Sequence, residues 1–227
     1  YLRWLRTQQI TAPSAQAGGD GWLIAQPELY ALRAPGATCL DALRAFADGG
    51  GLNADNDSKG CGGVMRVAPI GLLWAATRQP PTTAYTGASA FRVGVEVAAI
   101  THGHPSGQIP AGLLASIIRD ILDGSSLREA TERALITLTD IDGHEETLRL
   151  LRRAVDLVDA SPDPHAIPAE LGLGWVAEEA LAIAVYAALV APDLERGIVL
   201  AVNHDGDSDS TGAIAGNLLG ALHEVAA

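Results

Sequence analysis

Between residues 105 and 160 the apolar side chains recur at the spacing of one helical face, and that pattern constrains the fold most. Ile109, Leu113, Ile117 and Ile121, joined by Leu122, form one stripe, with Arg119, Asp120 and Asp123 opposite. Leu148, Leu151, Val155 and Val158 form a second. A side chain that returns every three or four residues stays on one side of a helix, whereas a strand would send it to alternating faces. Aromatic residues are only 4% of the chain, and Ala, Leu and Gly abound. That composition suits closely packed helices better than a β-sandwich. The expected fold class is all-α.

The other segments fit the same class. Tyr1, Leu2, Trp4 and Leu5 open an amphipathic helix. Residues 21–36, broken by Pro27 and Pro35, predict a short helix between turns. A helix from Thr38 should end at Gly49 and Gly50. Residues 53–63, NADNDSKGCGG, read as a polar, Gly-rich loop that feeds the apolar run of residues 64–76. A further helical run covers residues 83–100, and residues 176–190 read as a core helix carrying Glu178 and Glu179 near its start. Residues 194–202, LERGIVLAV, fit strand or helix and are read as helix. Pro162, Pro164 and Pro168 mark the longest linker, over 160–173. No domain boundary is placed there, because the core helix after it needs partners from elsewhere. With 227 residues, 48% of them hydrophobic, the chain can build one sizeable core and is expected to form a single domain, 1–227.

Charge and cysteine usage narrow the function classes. Net charge is −12 and no Lys/Arg run stands out, which argues against nucleic-acid binding. An anionic ligand would need local donors, since the overall field repels it. Two cysteines, Cys39 and Cys61, do not make a disulfide framework, and a cytoplasmic location is expected. No signal peptide or membrane-spanning apolar stretch is evident, so no membrane partner is expected.

The segment with most chemical content is NHDGDSDSTGAIAGNLLGAL, residues 203–222. Asp207 and Asp209 stand two apart, with Ser210 directly after. Before a helix that spacing can aim two carboxylates and a hydroxyl at one hard cation. The same residues would equally serve as a surface helix cap. In the loop Ser58-Lys59-Gly60-Cys61-Gly62-Gly63, glycines allow close backbone approach and several N–H groups can converge on phosphate. A plain connector is the alternative, and Asp57 is a misfit there unless it points away. His102 by itself fits a helix-end cap or a core histidine. His102, His104, His204 and Asp205 are too scattered in sequence to favour zinc. Cys61 has no evident activating neighbour and reads as loop lining.

Four segments in order resemble the ADP-ribosylglycohydrolase family. GCGGVMRVAPIGL (60–72) is similar to its central Gly-rich turn and Met-Arg helix, and THGHPSGQIPAGLLA (101–115) to its Thr-His segment. GWVAEEALAIAVYAAL (174–189) is similar to the helix before its metal motif, and residues 203–222 to the motif itself. The resemblance implies an orthogonal multi-helix bundle with a cleft for two Mg2+ ions, and a partner that is ADP-ribose or an ADP-ribosylated protein or small molecule. It implies metal ligation by Asp207, Asp209 and Ser210, where relatives more often have Thr at the last position. It implies substrate binding by Ser58, Lys59, Gly60, Cys61, Gly62 and His102 around the diphosphate, with Trp175 by the ribose or leaving group. A buried core Trp is the other reading of Trp175.

The family's other metal half is a Thr-Asp-Asp triplet after a Gly-Asp-Ala-x-Gly turn, with a gating Glu. No adjacent Asp-Asp pair occurs in this sequence, and YLRWLRTQ resembles the segment that follows the triplet. The expectation is therefore a chain resembling the C-terminal two-thirds of the family domain, with its gating acid in a preceding segment. The function implied is magnesium-dependent hydrolysis of the glycosidic bond of an ADP-ribosyl group. Arginine is the favoured attachment, because the Gly-Cys-Gly loop resembles the arginine-specific branch. The alternative is a non-catalytic ADP-ribose-binding or regulatory module with half a dimetal site. A structural protein is a third, disfavoured by the Asp-Ser-Asp-Ser run.

Overall fold

The computed structural model describes residues 1–8, 21–77, 87–160 and 162–223. Within them the fold is all-α: α1 (Leu2–Thr7), α2 (Ala37–Ala47), α3 (Ala68–Thr77), α4 (Gly87–Ala99), α5 (Pro105–Leu122), α6 (Leu127–Leu138), α7 (Glu145–Ala160), α8 (Ala177–Val190), α9 (Leu194–Val202) and α10 (Ser208–Leu222). The only β-type pairing among the described residues is an isolated antiparallel bridge between Gly60 and Val176. None of the described helices is long and apolar enough to cross a membrane.

Two helices occupy the centre. α8 is apolar all round and buries every residue from Ala180 to Ala188, which is how a helix with no polar face must sit. It packs against α5, α7, α9 and α10. α5 buries Ile109, Leu113, Ile117 and Ile121, the expected stripe, and contacts α3, α4 and α6 besides. Leu122 lies off that stripe and is exposed. The tightest crossing is between α4 and α5. A Cβ on Gly94 would come within 2.8 Å of the Ala111 carbonyl, and one on Gly112 within 2.7 Å of the Phe91 carbonyl. Only glycine permits that approach. Phe91, Val93, Val95 and Val97 alternate as in a strand but lie in α4.

Helix ends match local chemistry. Ser126 and Glu129 make a reciprocal capping box at the start of α6. His104 accepts the Ser106 N–H through Nδ1, and Pro105 opens α5. Residues 194–202 are helical, with Asp193 as N-cap.

Some expectations need correction. Residues 21–36 hold two 3₁₀ turns, Leu23–Ala25 and Pro27–Leu29, in place of a short α-helix, because prolines at 27 and 35 leave no uninterrupted span for α-type bonding. The 64–76 run divides into a 3₁₀ turn, Val64–Arg66, and α3, with Leu72 and Leu73 exposed. The first residues of the helical run expected over 83–100 lie outside the described residues. The proline-rich linker is tied to the core: the Tyr186 hydroxyl accepts the Asp163 N–H at 2.8 Å, and Leu171 is fully buried.

Candidate active site

The Asp-rich turn and the Gly-rich loop, distant in sequence, meet through the residues leading into α8. On one side Cys61 N–H donates to the Trp175 carbonyl (3.3 Å) and Ala177 N–H to the Lys59 carbonyl (2.8 Å), flanking the Gly60–Val176 bridge. On the other, Asp207 N–H donates to the Leu173 carbonyl at 2.8 Å. A Cβ at Gly206 would run into that carbonyl, so the turn closes only with glycine there. The Glu179 carboxylate accepts the N–H groups of Leu173 and Gly174, both at 3.1 Å, and holds this central strip in place.

Asp207 is the N-cap residue of α10, but its side chain makes no cap hydrogen bond. A cap role therefore does not account for it. Its Oδ2 instead accepts from the Cys61 thiol at 2.7 Å, and the Cys61 sulfur lies 3.3 Å from Ser210 Oγ. Asp207 is buried and Asp209 exposed, with their carboxyls in contact. Burial works against the Asp207 charge, but hydrogen bonds from Asp209, Cys61 and Ser210 outweigh it and hold the carboxyl below its usual range. The Asp209 carboxyl is pushed up, first by its bond to Asp207 and then by partial burial. Two carboxylates this close cannot both stay ionised without a proton or cation between them.

Cys61 is thus more than loop lining: it is the direct contact between the two segments. Burial, followed by the Asp207 carboxylate, pushes its thiol up to about 12, so it is not a nucleophile near neutral pH.

The Gly-rich loop is shaped from below by Asn56, which sequence reasoning missed. Its Oδ1 accepts the N–H of Ser58 and of Gly103, each at 3.0 Å, and its Nδ2 donates to the Thr101 carbonyl. Ser58 Oγ accepts the Gly60 N–H at 3.3 Å. Asp57 is exposed. The Lys59 ammonium is engaged by both oxygens of Glu146 on α7, at 2.6 and 2.7 Å, and Ser106 Oγ donates to the same carboxylate. That pairing raises the Lys59 pKa and lowers that of Glu146. Lys59 therefore anchors the loop to α7, and its charge is already matched. Nearby, Glu178 is buried, its Oε2 has no hydrogen-bond partner among the described residues, and burial raises its carboxyl. An Asn four residues ahead of a Gly-Cys-Gly turn was the available signal for Asn56. Nothing in sequence marked Glu146.

His102 is buried directly beneath Gly60 and Gly62. Trp175 is 60% exposed, which removes the core reading. His204 takes no part in a metal cluster; it shapes the turn by bonding the Gly206 N–H through Nδ1 and Thr211 Oγ1 through Nε2. Among the described residues no group of three or more His, Cys, Asp or Glu is arranged to hold a metal ion.

Residues 1–227 match the family model described as ADP-ribosylglycohydrolase. The chain belongs to the ADP-ribosylglycohydrolase family. No curated protein sequence matches it significantly. The all-α architecture is that of the ADP-ribosylglycohydrolase family, and membership assigns the reaction type, hydrolysis of glycosyl bonds in ADP-ribosylated substrates. In this family member Cys61 joins the Gly-rich loop to the Asp-rich turn.

Proposed function

We propose that this family member serves magnesium-dependent removal of ADP-ribose from ADP-ribosyl-arginine, with Asp207, Asp209 and Ser210 as one side of the metal cage. The observation that carries the reading is the 2.7 Å contact between Cys61 and Asp207, which sets a phosphate-type Gly-rich loop against a pair of touching carboxylates. The donor set fits a hard cation: two carboxylates and a hydroxyl, all oxygen, with a mutual repulsion that a divalent ion would relieve. Magnesium, when bound, would supply a template and Lewis acid for ribose hydroxyls and the attacking water.

The chain's own residues have separable tasks. The buried imidazole of His102 and the amides of Lys59 and Gly62, which unlike those of Ser58, Gly60 and Cys61 have no partner among the described residues, offer donors to the diphosphate, which an acidic protein must bind by local contacts. Trp175, exposed beside the loop, borders the ribose or leaving group. The glycosidic bond breaks through an oxocarbenium-like state with its electron pair leaving on the guanidine nitrogen, water adds at the anomeric carbon, and the proton that water loses ends on the departing guanidine. A second reading, a non-catalytic ADP-ribose-binding module, is favoured by one observation: the cage has two carboxylates and no third among the described residues. We propose that turnover needs the family's Thr-Asp-Asp triplet, which this sequence lacks. Calorimetry with MgCl2 and with ADP-ribose, followed by release assays on ADP-ribosyl-arginine, tests the reading. Weak magnesium and measurable ADP-ribose binding without turnover are expected of residues 1–227, with turnover on adding a segment bearing the triplet. Absence of both binding events would overturn it, and robust turnover by residues 1–227 alone would overturn the half-cage.

A further inference from the structure

His102 is 1% exposed, and its ring edge faces the underside of the Gly-rich loop. A Cβ at Gly60 would stand 3.2 Å from Nε2, and one at Gly62 would stand 3.3 Å from Cε1 and 3.6 Å from Nε2. Nε2 takes part in no hydrogen bond among the described residues, while Nδ1 lies 2.7 Å from Thr101 Oγ1. A ring nitrogen without a protein partner, at the edge of a buried imidazole and facing two glycines, is free to bond a ligand or a water.

Which ring nitrogen carries the proton follows from the neighbours. Arg66 Nη2 donates to Thr101 Oγ1 at 2.6 Å, and the same nitrogen donates to the Val97 carbonyl at 3.0 Å. Since a guanidinium only donates, Thr101 Oγ1 is an acceptor toward Arg66 and must dispose of its own proton elsewhere. Two acceptors are in reach. The Ala98 carbonyl is 3.5 Å away and already receives the N–H groups of Thr101 and His102, both at 3.0 Å. His102 Nδ1 is 2.7 Å away. The shorter contact to the less occupied acceptor points the hydroxyl at Nδ1 and places the ring proton on Nε2, against a competing bond from the ring to the Ala98 carbonyl.

We propose that Arg66 and Thr101 are positioning residues that lock His102 as the neutral Nε2–H tautomer, a fixed single donor to a phosphate oxygen of the ligand at Gly60 and Gly62. This rests on the ADP-ribose reading above and adds to it the residues that set the donor. A second proton on the ring is resisted by burial and by the Arg66 charge, which take the imidazole down to about 4. The donor therefore persists through the neutral range, and the site does not gain or lose charge there. Arg66 is itself held by stacking over the Tyr1 ring at 4.8 Å and by the Cys39 sulfur at 3.5 Å, so the relay is anchored from α1 and α2.

The test is imidazole nitrogen NMR on isotope-labelled protein without ligand, with His102 assigned by difference from His102→Gln. The expected spectrum has a bare Nδ1 and a protonated Nε2. Thr101→Val should yield a mixture of tautomers and lower ADP-ribose affinity roughly tenfold or more, the loss of an oriented bond to a charged acceptor. Thr101→Ser should restore both, which a variant that merely loosens the fold would not do. A wild-type spectrum with Nδ1 protonated overturns the lock whatever the ligand data show. The expected tautomer with affinity unchanged in a folded Thr101→Val overturns the donor role. Wild-type protein that shows the expected tautomer but binds no ADP-ribose counts against the ADP-ribose reading, and the lock then stands on its spectrum.

Discussion

The Cys61 thiol donates to Asp207 Oδ2 at 2.7 Å across 146 residues of sequence. It does so in a half-buried setting, where a hydrogen bond to a carboxylate is stronger than in water and the thiol's own ionisation is suppressed. Alkylation follows the thiolate, so with the group at about 12 Cys61 should react with iodoacetamide at pH 8 on the order of a thousandfold more slowly than in the urea-unfolded chain. Peptide mass spectrometry over a time course reads the rate. Equal rates folded and unfolded would contradict the contact.

Removing either carboxylate should cost metal and leave the helices standing. Asp207→Ala and Asp209→Ala should each weaken magnesium binding by about tenfold or more, since a lost oxygen ligand leaves the ion's charge undercompensated. Helical circular dichroism should be nearly unchanged, because Asp207 makes no cap hydrogen bond to α10. Calorimetry that finds both variants equal to wild type would return the motif to a plain helix start.

The loop and the adenosine end of the ligand can be separated. A Cβ at Gly62 would meet the Cys39 sulfur and His102 Cε1, each at 3.3 Å, and the branches of a valine would crowd them further. Gly62→Val should therefore reduce ADP-ribose affinity by roughly tenfold through lost phosphate bonds, with adenosine affected much less. Equal losses for the two ligands would mean general distortion in place of a diphosphate site.

His102 makes stability depend on acid in a definite direction. Its ordinary value is 6.5 and burial, then the Arg66 charge, lowers it to about 4 in the folded protein. Between those values the unfolded chain binds the proton and the folded chain does not, so stability falls as pH falls from 6.5 to 4. The contribution amounts to about 3 kcal/mol across the window. Carboxylates titrate in the same range, so the readout is the difference in urea-unfolding free energy between wild type and His102→Gln. That difference should change with pH by about this amount, and a constant difference would contradict a neutral buried imidazole.

Helix content was legible in the sequence because period and burial are local matters. Ile109, Leu113, Ile117 and Ile121 declare their shared face by spacing alone, and the apolar run of Ala180–Ala188 declares a helix with no solvent side. Short segments were less legible, as the two 3₁₀ turns in residues 21–36 illustrate. The alternating Phe91–Val97 stretch fits a strand by period alone, yet it lies in α4 and packs on α5 through Gly94. Candidate site residues could be named from composition and resemblance, since an Asp-x-Asp-Ser turn and a Gly-rich loop announce their donors. Their partners could not. That Lys59 is held by Glu146, that Cys61 meets Asp207, and that His102 is fixed through Thr101 by Arg66 are pairings over 87, 146 and 35 residues for the long-range bonds concerned. No periodicity or spacing encodes a contact between separate helices. Such contacts exist only once α5 and α8 have packed and the Gly60–Val176 bridge has drawn the loop against the turn before α10.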